Sequence, residues 1–158
     1  FVARVGLALC LANACDAMET LSVGYALPQI QAEFPGWAES EAAAVFVGMI
    51  FGGCIAGYAA KVLGRRRLLV IALRLETLAA ALGALSRSGV HFFFGRVLSG
   101  CAVGASVPCI FSLAEELLQP KGRRHRWTCL IASTFIVGAV IDSVLAWLML
   151  KLCGLGWR

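Results

Sequence analysis

Residues 92–114 read FFFGRVLSGCAVGASVPCIFSLA, and Arg96 is the single charged side chain among them. A helix needs about 20 mostly apolar residues to cross the hydrocarbon core of a bilayer. This stretch is long enough and therefore predicts a transmembrane helix. Its Gly100-x3-Gly104 spacing is typical of a helix that approaches a neighbour closely in lipid, and Pro108 favours a bend.

The rest of the chain repeats this pattern, with short connections between apolar runs. Residues of the AVILMFWYC set make up 60% of the 158 residues, charged residues make up 15%, and mean hydropathy is +0.84. Soluble domains contain far more charge and disordered chains far less apolar material, so both classes are excluded. We predict an all-α polytopic bundle whose five spans are residues 5–27, 42–60, 68–86, 92–114 and 127–150.

The basic residues are unevenly distributed over the connections. If the N-terminus is cytoplasmic, nine inside positions are Arg4, Lys61, Arg65, Arg66, Arg67, Lys121, Arg123, Arg124 and Arg126. Three lie outside: Arg87, Lys151 and Arg158. The positive-inside rule therefore predicts a cytoplasmic N-terminus. The same clustering explains the net charge of +5 without a nucleic-acid partner.

Six ionisable residues fall inside the predicted spans: Asp16, Glu19, Arg74, Glu76, Arg96 and Asp142. Each costs about 2.5–3.5 kcal/mol at a helix centre on insertion scales. Two hypotheses remain open for them, a substrate or proton pathway and pairing that only holds helices together. Arg74 and Glu76 are two residues apart, so they point to nearly opposite sides of one helix and need partners elsewhere.

Depth in the membrane brings some of these residues together. At about 1.5 Å per residue, Glu19 and Asp142 lie about 12 Å below the outer ends of their spans, and Arg96 about 6 Å below. These three are expected to meet in the outer half of the membrane. Asp16 lies one turn from Glu19, and the two acids are the candidates for binding a proton or cation.

Several motifs resemble those of the major facilitator superfamily. The run from Gly57 to Arg66, GYAAKVLGRR, is similar to the family's G-x-x-x-D-x-x-G-R-R loop between spans two and three. Arg96-x3-Gly100-x3-Gly104 is similar to its span-four pattern. After span four, Glu116, Pro120 and Arg124 resemble E-x-x-P-x-x-x-R with one additional residue. Gly48-x3-Gly52 in span two is a further helix-packing pattern.

Residues of the first predicted span resemble one particular branch of the superfamily. Asp16-Ala17-Met18-Glu19, followed by Leu27-Pro28-Gln29, looks most like the synaptic vesicle 2-related branch, near the metabolite:proton symporters. The resemblance implies twelve spans in two six-helix halves that alternate access to a central site. The five spans here would belong to the N-terminal half, with the C-terminal half as a missing partner. Phe1 and the closing residues also suggest a part of a longer chain.

One position departs from the family pattern. The gating loop motif comprises Gly57, Lys61, Gly64, Arg65 and Arg66. The resemblance implies an acid at position 61 that joins a charged network near a helix terminus, and Lys61 reverses that charge. A compensating acid elsewhere, altered gating, or a degenerating gene would each explain this change.

These observations predict a secondary active transporter of a small organic solute, with alternating access and proton coupling. The pathway residues would be Asp16, Glu19, Arg96 and Asp142. Alternatives are a transport-inactive scaffold or receptor-like relative, a sugar porter, and a complete small five-helix membrane protein. Enzyme activity, cofactors and metal sites are not expected, because the histidines and seven cysteines show no catalytic or ligand spacing.

Overall fold

The computed structural model describes residues 2–33, 36, 38–86, 88–117 and 121–149. Within those ranges every regular element is helical, which confirms the predicted all-α class. The five helices are α1 (Val2–Glu33), α2 (Ala38–Leu63), α3 (Arg65–Ala84), α4 (Gly89–Leu117) and α5 (Lys121–Trp147). Most begin before and end after the predicted apolar runs, because a helix continues to satisfy its own backbone groups outside the hydrocarbon core.

The helices differ in how apolar they are. Three have a segment that is long and apolar enough to cross a membrane by composition alone: Ala43–Leu63, Gly89–Leu117 and Arg126–Trp147. The α1 and α3 helices carry charged and polar side chains within their length, among them Asp16, Glu19, Arg74 and Glu76. These two helices therefore depend on protein neighbours to cover their polar groups.

The α4 helix is the centre of the packing. It lies against α2 and α3 over much of its length and also contacts α1, while α1 packs mainly on α5. An apolar core of α1, α3, α4 and α5 side chains includes Leu9, Leu69, Ile110 and Ile131. The Asn13 side chain donates a hydrogen bond of 2.8 Å to the Ile131 carbonyl, which ties α1 to α5.

Glycines allow α2 and α4 to approach to backbone contact. A Cβ atom on Gly48 or Gly52 would overlap the carbonyl oxygen of Val97 or Cys101. From the other side, a Cβ atom on Gly100 or Gly104 would overlap the carbonyl oxygen of Val45 or Met49. The structure thus places all four predicted packing glycines in one interface.

The connection between α2 and α3 is a single residue. Gly64 has a φ of 80°, in the left-handed region that favours glycine, and Arg65 begins the next helix. The chain therefore reverses direction immediately after α2. The three consecutive arginines are consequently presented on the first turn of α3.

Candidate functional site between α1 and α4

A buried ion pair joins α1 to α4. The Arg96 guanidinium donates through Nη1 to Glu19 Oε1 at 3.1 Å, and these side chains are only 13% and 19% exposed. The Arg96 guanidinium also lies 5.2 Å from the centre of the Phe92 ring, one helical turn earlier. The structure therefore brings together two of the four predicted pathway residues.

Asp142 approaches the same ion pair from α5. Its side chain is buried, its carboxyl group interacts with that of Glu19, and its Oδ2 has no hydrogen-bond donor among the described groups. Glu19 thus forms an ion pair with a cation on α4 and interacts electrostatically with an acid on α5. Nearby, the Tyr25 and Ser143 hydroxyl groups form a 2.6 Å hydrogen bond between α1 and α5.

Glu41 is a fourth member of this cluster, and sequence reasoning missed it. It lies just before the apolar segment of α2 and outside the predicted span of residues 42–60. In the structure it is fully buried, and no described donor reaches either carboxylate oxygen. Burial raises the pKa of Glu41 to about 7, although attraction to Arg96 opposes the shift. Arg96 therefore faces acids on both α1 and α2.

Asp16 belongs to a different cluster from Glu19, although the two are one turn apart. It is fully buried, and the Ser106 hydroxyl on α4 donates to its Oδ2 at 2.6 Å. Its carboxyl group lies within hydrogen-bonding reach of Glu76 on α3. The sequence predicted that Glu76 needs a partner on another helix but did not reveal which one. Arg74 points to the exposed side of α3.

The predicted gating motif lies at the other end of the bundle. Arg65 Nη1 is 2.6 Å from Glu116 Oε1, and both side chains are about half exposed. This ion pair joins the start of α3 to the end of α4. Lys61 and Arg65 line a cleft of about 350 Å³ between α2 and α4 that also includes Gly57. Lys61, Gly64 and Arg66 are exposed.

Part of the predicted motif after α4 cannot be placed. Pro120 lies outside the described residues, and so does the side chain of Arg124. The predicted contribution of these two residues therefore stays a prediction. In the part of the chain that the structure describes, no group of three or more histidine, cysteine or acidic side chains is arranged to hold a metal ion.

Comparison with known proteins identifies the fold. The family model of the Major Facilitator Superfamily matches residues 9–158. The chain belongs to this superfamily. In structure it is similar to the inward-open xylose transporter XylE of E. coli, with a TM-score of 0.79 and 18% identity. That match covers 89% of this chain and 38% of the other, and it shows the fold.

The relatives in sequence include synaptic vesicle glycoproteins. Rat synaptic vesicle glycoprotein 2A is 30% identical over 142 residues, and the human 2C protein is 28% identical over 145 residues. Each match covers 87% of this chain, and the chain spans 19% of the length of these relatives. The predicted resemblance to this branch is therefore confirmed. Family membership and the apolar helices make this chain part of an integral membrane protein.

Proposed function

We propose that the complete protein transports a small organic solute across a membrane by alternating access, with proton coupling. The observation that carries the proposal is the buried Glu19–Arg96 ion pair between α1 and α4. Desolvation makes a buried ion pair no more stabilising than a well-packed apolar pair of the same volume. Within the membrane such a pair is better explained by a pathway role than by stability alone.

The charge balance around Arg96 supports proton coupling. One guanidinium group faces Glu19 and Glu41, and Asp142 faces Glu19 in turn. Three carboxylates with one cation would leave uncompensated negative charge in a poorly hydrated region, so proton uptake is favoured there. Loss of the negative charge at Glu19 would release Arg96 toward Glu41 or toward an anionic group of the solute.

Transport by the full-length protein in proteoliposomes tests this function. Uptake of labelled organic anions, organic cations and sugars is measured with and without an inwardly directed proton gradient. We expect at least one class to accumulate, and accumulation to depend on the gradient. Absence of uptake for every class would support a transport-inactive relative instead.

Lys61 is the specific observation that favours this second candidate. It reverses the charge that the family's loop motif normally carries, in the same cleft as Arg65. The Arg65–Glu116 ion pair nevertheless forms without an acid at that position. We therefore favour altered gating over loss of transport.

A Lys61→Asp substitution is expected to shift the equilibrium between the states that are open to opposite sides of the membrane. A carboxylate at this position would attract Arg65, compete with Glu116 for it, and remove repulsion between two nearby cations. In the full-length protein, labelling rates of one engineered cysteine at each mouth of the pathway should change in opposite directions. A Lys61→Gln variant removes charge without adding an acid and should give a smaller change. Unchanged labelling in both variants would show that this loop does not control the gate.

The orientation of the chain is a further proposal, with the N-terminus in the cytoplasm. Cysteines introduced one at a time at positions 37 and 61, in a cysteine-free full-length background, should be labelled by an impermeant maleimide from opposite sides. Position 37 is expected to react from the outside, or from the lumen of a vesicle, and position 61 from the cytoplasm. Labelling of position 37 from the cytoplasm alone would reverse the assignment.

A further inference from the structure

The α1 and α3 helices make few direct contacts, because α1 packs mainly on α5 and α3 packs mainly on α4. A cleft of about 520 Å³ lies beside them toward the N-terminal end of α1, lined by Leu9, Leu69, Leu73 and Leu113 among others. The Asp16 and Glu76 carboxyl groups meet across the α1–α3 gap.

These two carboxyl groups lack sufficient hydrogen-bond donors. Ser106 supplies one hydroxyl proton, and it donates to Asp16 Oδ2 at 2.6 Å. Asp16 Oδ1 and Glu76 Oε1 are buried, and no donor among the described groups reaches them. Both residues are more than nine-tenths buried. A proton placed between the carboxyl groups makes one of them a donor and provides the missing hydrogen bond.

We propose that Asp16, Glu76 and Ser106 form a buried proton-binding site in which the two carboxyl groups share one proton and thereby tie α1 to α3 and α4. The site is separate from the Glu19–Arg96 pair and does not depend on the transported solute. The shared proton makes the connection of α1 with α3 and α4 sensitive to pH.

The surrounding charges favour a bound proton. On α1, Cys15 and Glu19 are near the site, and Glu19 adds negative charge next to Glu76. The Arg96 cation of α4 is engaged by Glu19 and is attracted to Glu41 of α2. From α5, Asp142 faces Glu19. The charges that act on Glu76 itself are those of Asp16 and Glu19, and both are negative.

A divalent metal ion fits this site less well than a proton. Calcium takes six to eight oxygen ligands and magnesium demands an octahedral shell. The described cluster offers two carboxyl groups and one hydroxyl group, in a region where few waters would complete the shell. A shared proton needs only the two facing carboxyl groups.

The proposal predicts how stability depends on pH. Aspartate and glutamate side chains in an unfolded chain have lost most of their protons above about pH 4.5. A folded state that retains one more proton is therefore favoured at low pH and loses this advantage as pH rises. If the folded state retains one whole proton more than the unfolded state, the folding equilibrium constant falls about tenfold for each unit rise in pH.

The test compares reversible unfolding of the purified full-length protein with that of three variants between about pH 5 and 8. In Glu76→Gln and in Asp16→Asn, an amide N–H donates to the remaining carboxylate, so the proton is no longer needed. The slope of the unfolding free energy against pH reports the difference in bound protons between the folded and unfolded states. In each single variant this slope should be smaller than in the unmodified protein by the equivalent of about one proton. Glu115→Gln removes an exposed acid near the end of α4, outside both buried clusters, and should keep the slope.

Infrared difference spectroscopy provides a second measurement that does not require the variants to be equally stable. The unmodified protein should show a carbonyl band of a buried protonated carboxyl group at neutral pH that is absent from both single variants, whereas any band from Glu41 should remain in them. An unchanged band and slope in both variants would overturn the proposal. Replacing choline by sodium in the buffer provides one further measurement. If sodium stabilised the unmodified protein but not Glu76→Gln, the proposal would also be overturned, because the site would then bind a metal cation.

Discussion

A Glu19→Gln substitution in the full-length protein is expected to abolish the pH dependence of uptake while leaving the helices folded. The glutamine side-chain oxygen can still accept the hydrogen bond that Arg96 Nη1 now donates at 3.1 Å. The substitution removes the Glu19 carboxyl group and its negative charge from this cluster. Arg96 then retains Glu41 as an acidic partner on α2, so the buried cation is not isolated.

Substitutions of Arg96 provide a sharper comparison. An Arg96→Met substitution leaves Glu19 and Glu41 buried without their cation. Breaking a buried pair in this way typically costs about 3–5 kcal/mol. The double variant Glu19→Gln/Arg96→Met should recover part of this loss, because one uncompensated charge has gone. The difference between the double variant and the sum of the single variants measures the coupling between the two side chains.

The measurements are initial uptake rate against pH and the unfolding midpoint of each variant. Glu115→Gln, which removes a carboxyl group near the exposed end of α4, serves as the matched control and should leave the pH profile in place. If Glu19→Gln transports with the rate and pH profile of the unmodified protein, then the Glu19–Arg96 pair holds helices together and does not couple protons to transport.

The sequence predicted the all-α class, the family and the meeting of Glu19 with Arg96 from apolar patterns, family motifs and depth in the membrane. Apolar run length defines a helix that can span a bilayer, and position along a run gives depth. Two charges of opposite sign at similar depths on neighbouring helices were therefore expected to meet. The family motifs added the order of the helices and the position of the exposed arginine loop.

The partners of Asp16 and Glu41 could not be predicted in this way. One helix turn separates Asp16 from Glu19, but the rotation of α1 directs them to different neighbours, and that rotation depends on packing. Glu41 precedes an apolar run, where an acid is usually hydrated. Its burial arises only when α2 packs closely on α4, so no local pattern reveals it.

The glycine spacing predicted close helix approach without identifying the helices that approach each other. A small-x3-small pattern in lipid marks a face that accepts another backbone, and α2 and α4 both carry one. The structure shows that these two faces meet each other. The resulting interface places the start of α2, including Glu41, next to Arg96.

The adjacent glycines Gly52 and Gly53 of α2 lie at different distances from α4. A Cβ atom on Gly52 would overlap the carbonyl group of Cys101, a backbone atom that cannot turn aside. A Cβ atom on Gly53 would meet its nearest neighbour, the Gly104 carbonyl oxygen, at 3.7 Å, an ordinary contact. Gly52→Ala should therefore push α2 away from α4, whereas Gly53→Ala should be tolerated.

We expect Gly52→Ala to destabilise the full-length protein by about 1–3 kcal/mol, the usual cost of overpacking a tight interface. Alanine is the better helix former by about 1 kcal/mol, so Gly53→Ala should be neutral or slightly stabilising. Because the two substitutions add the same methyl group at consecutive positions of one helix, their difference isolates the contact with α4. The readout is the unfolding midpoint of each purified variant. Equal midpoints for the two variants would show that α2 and α4 do not approach to backbone contact in the complete protein.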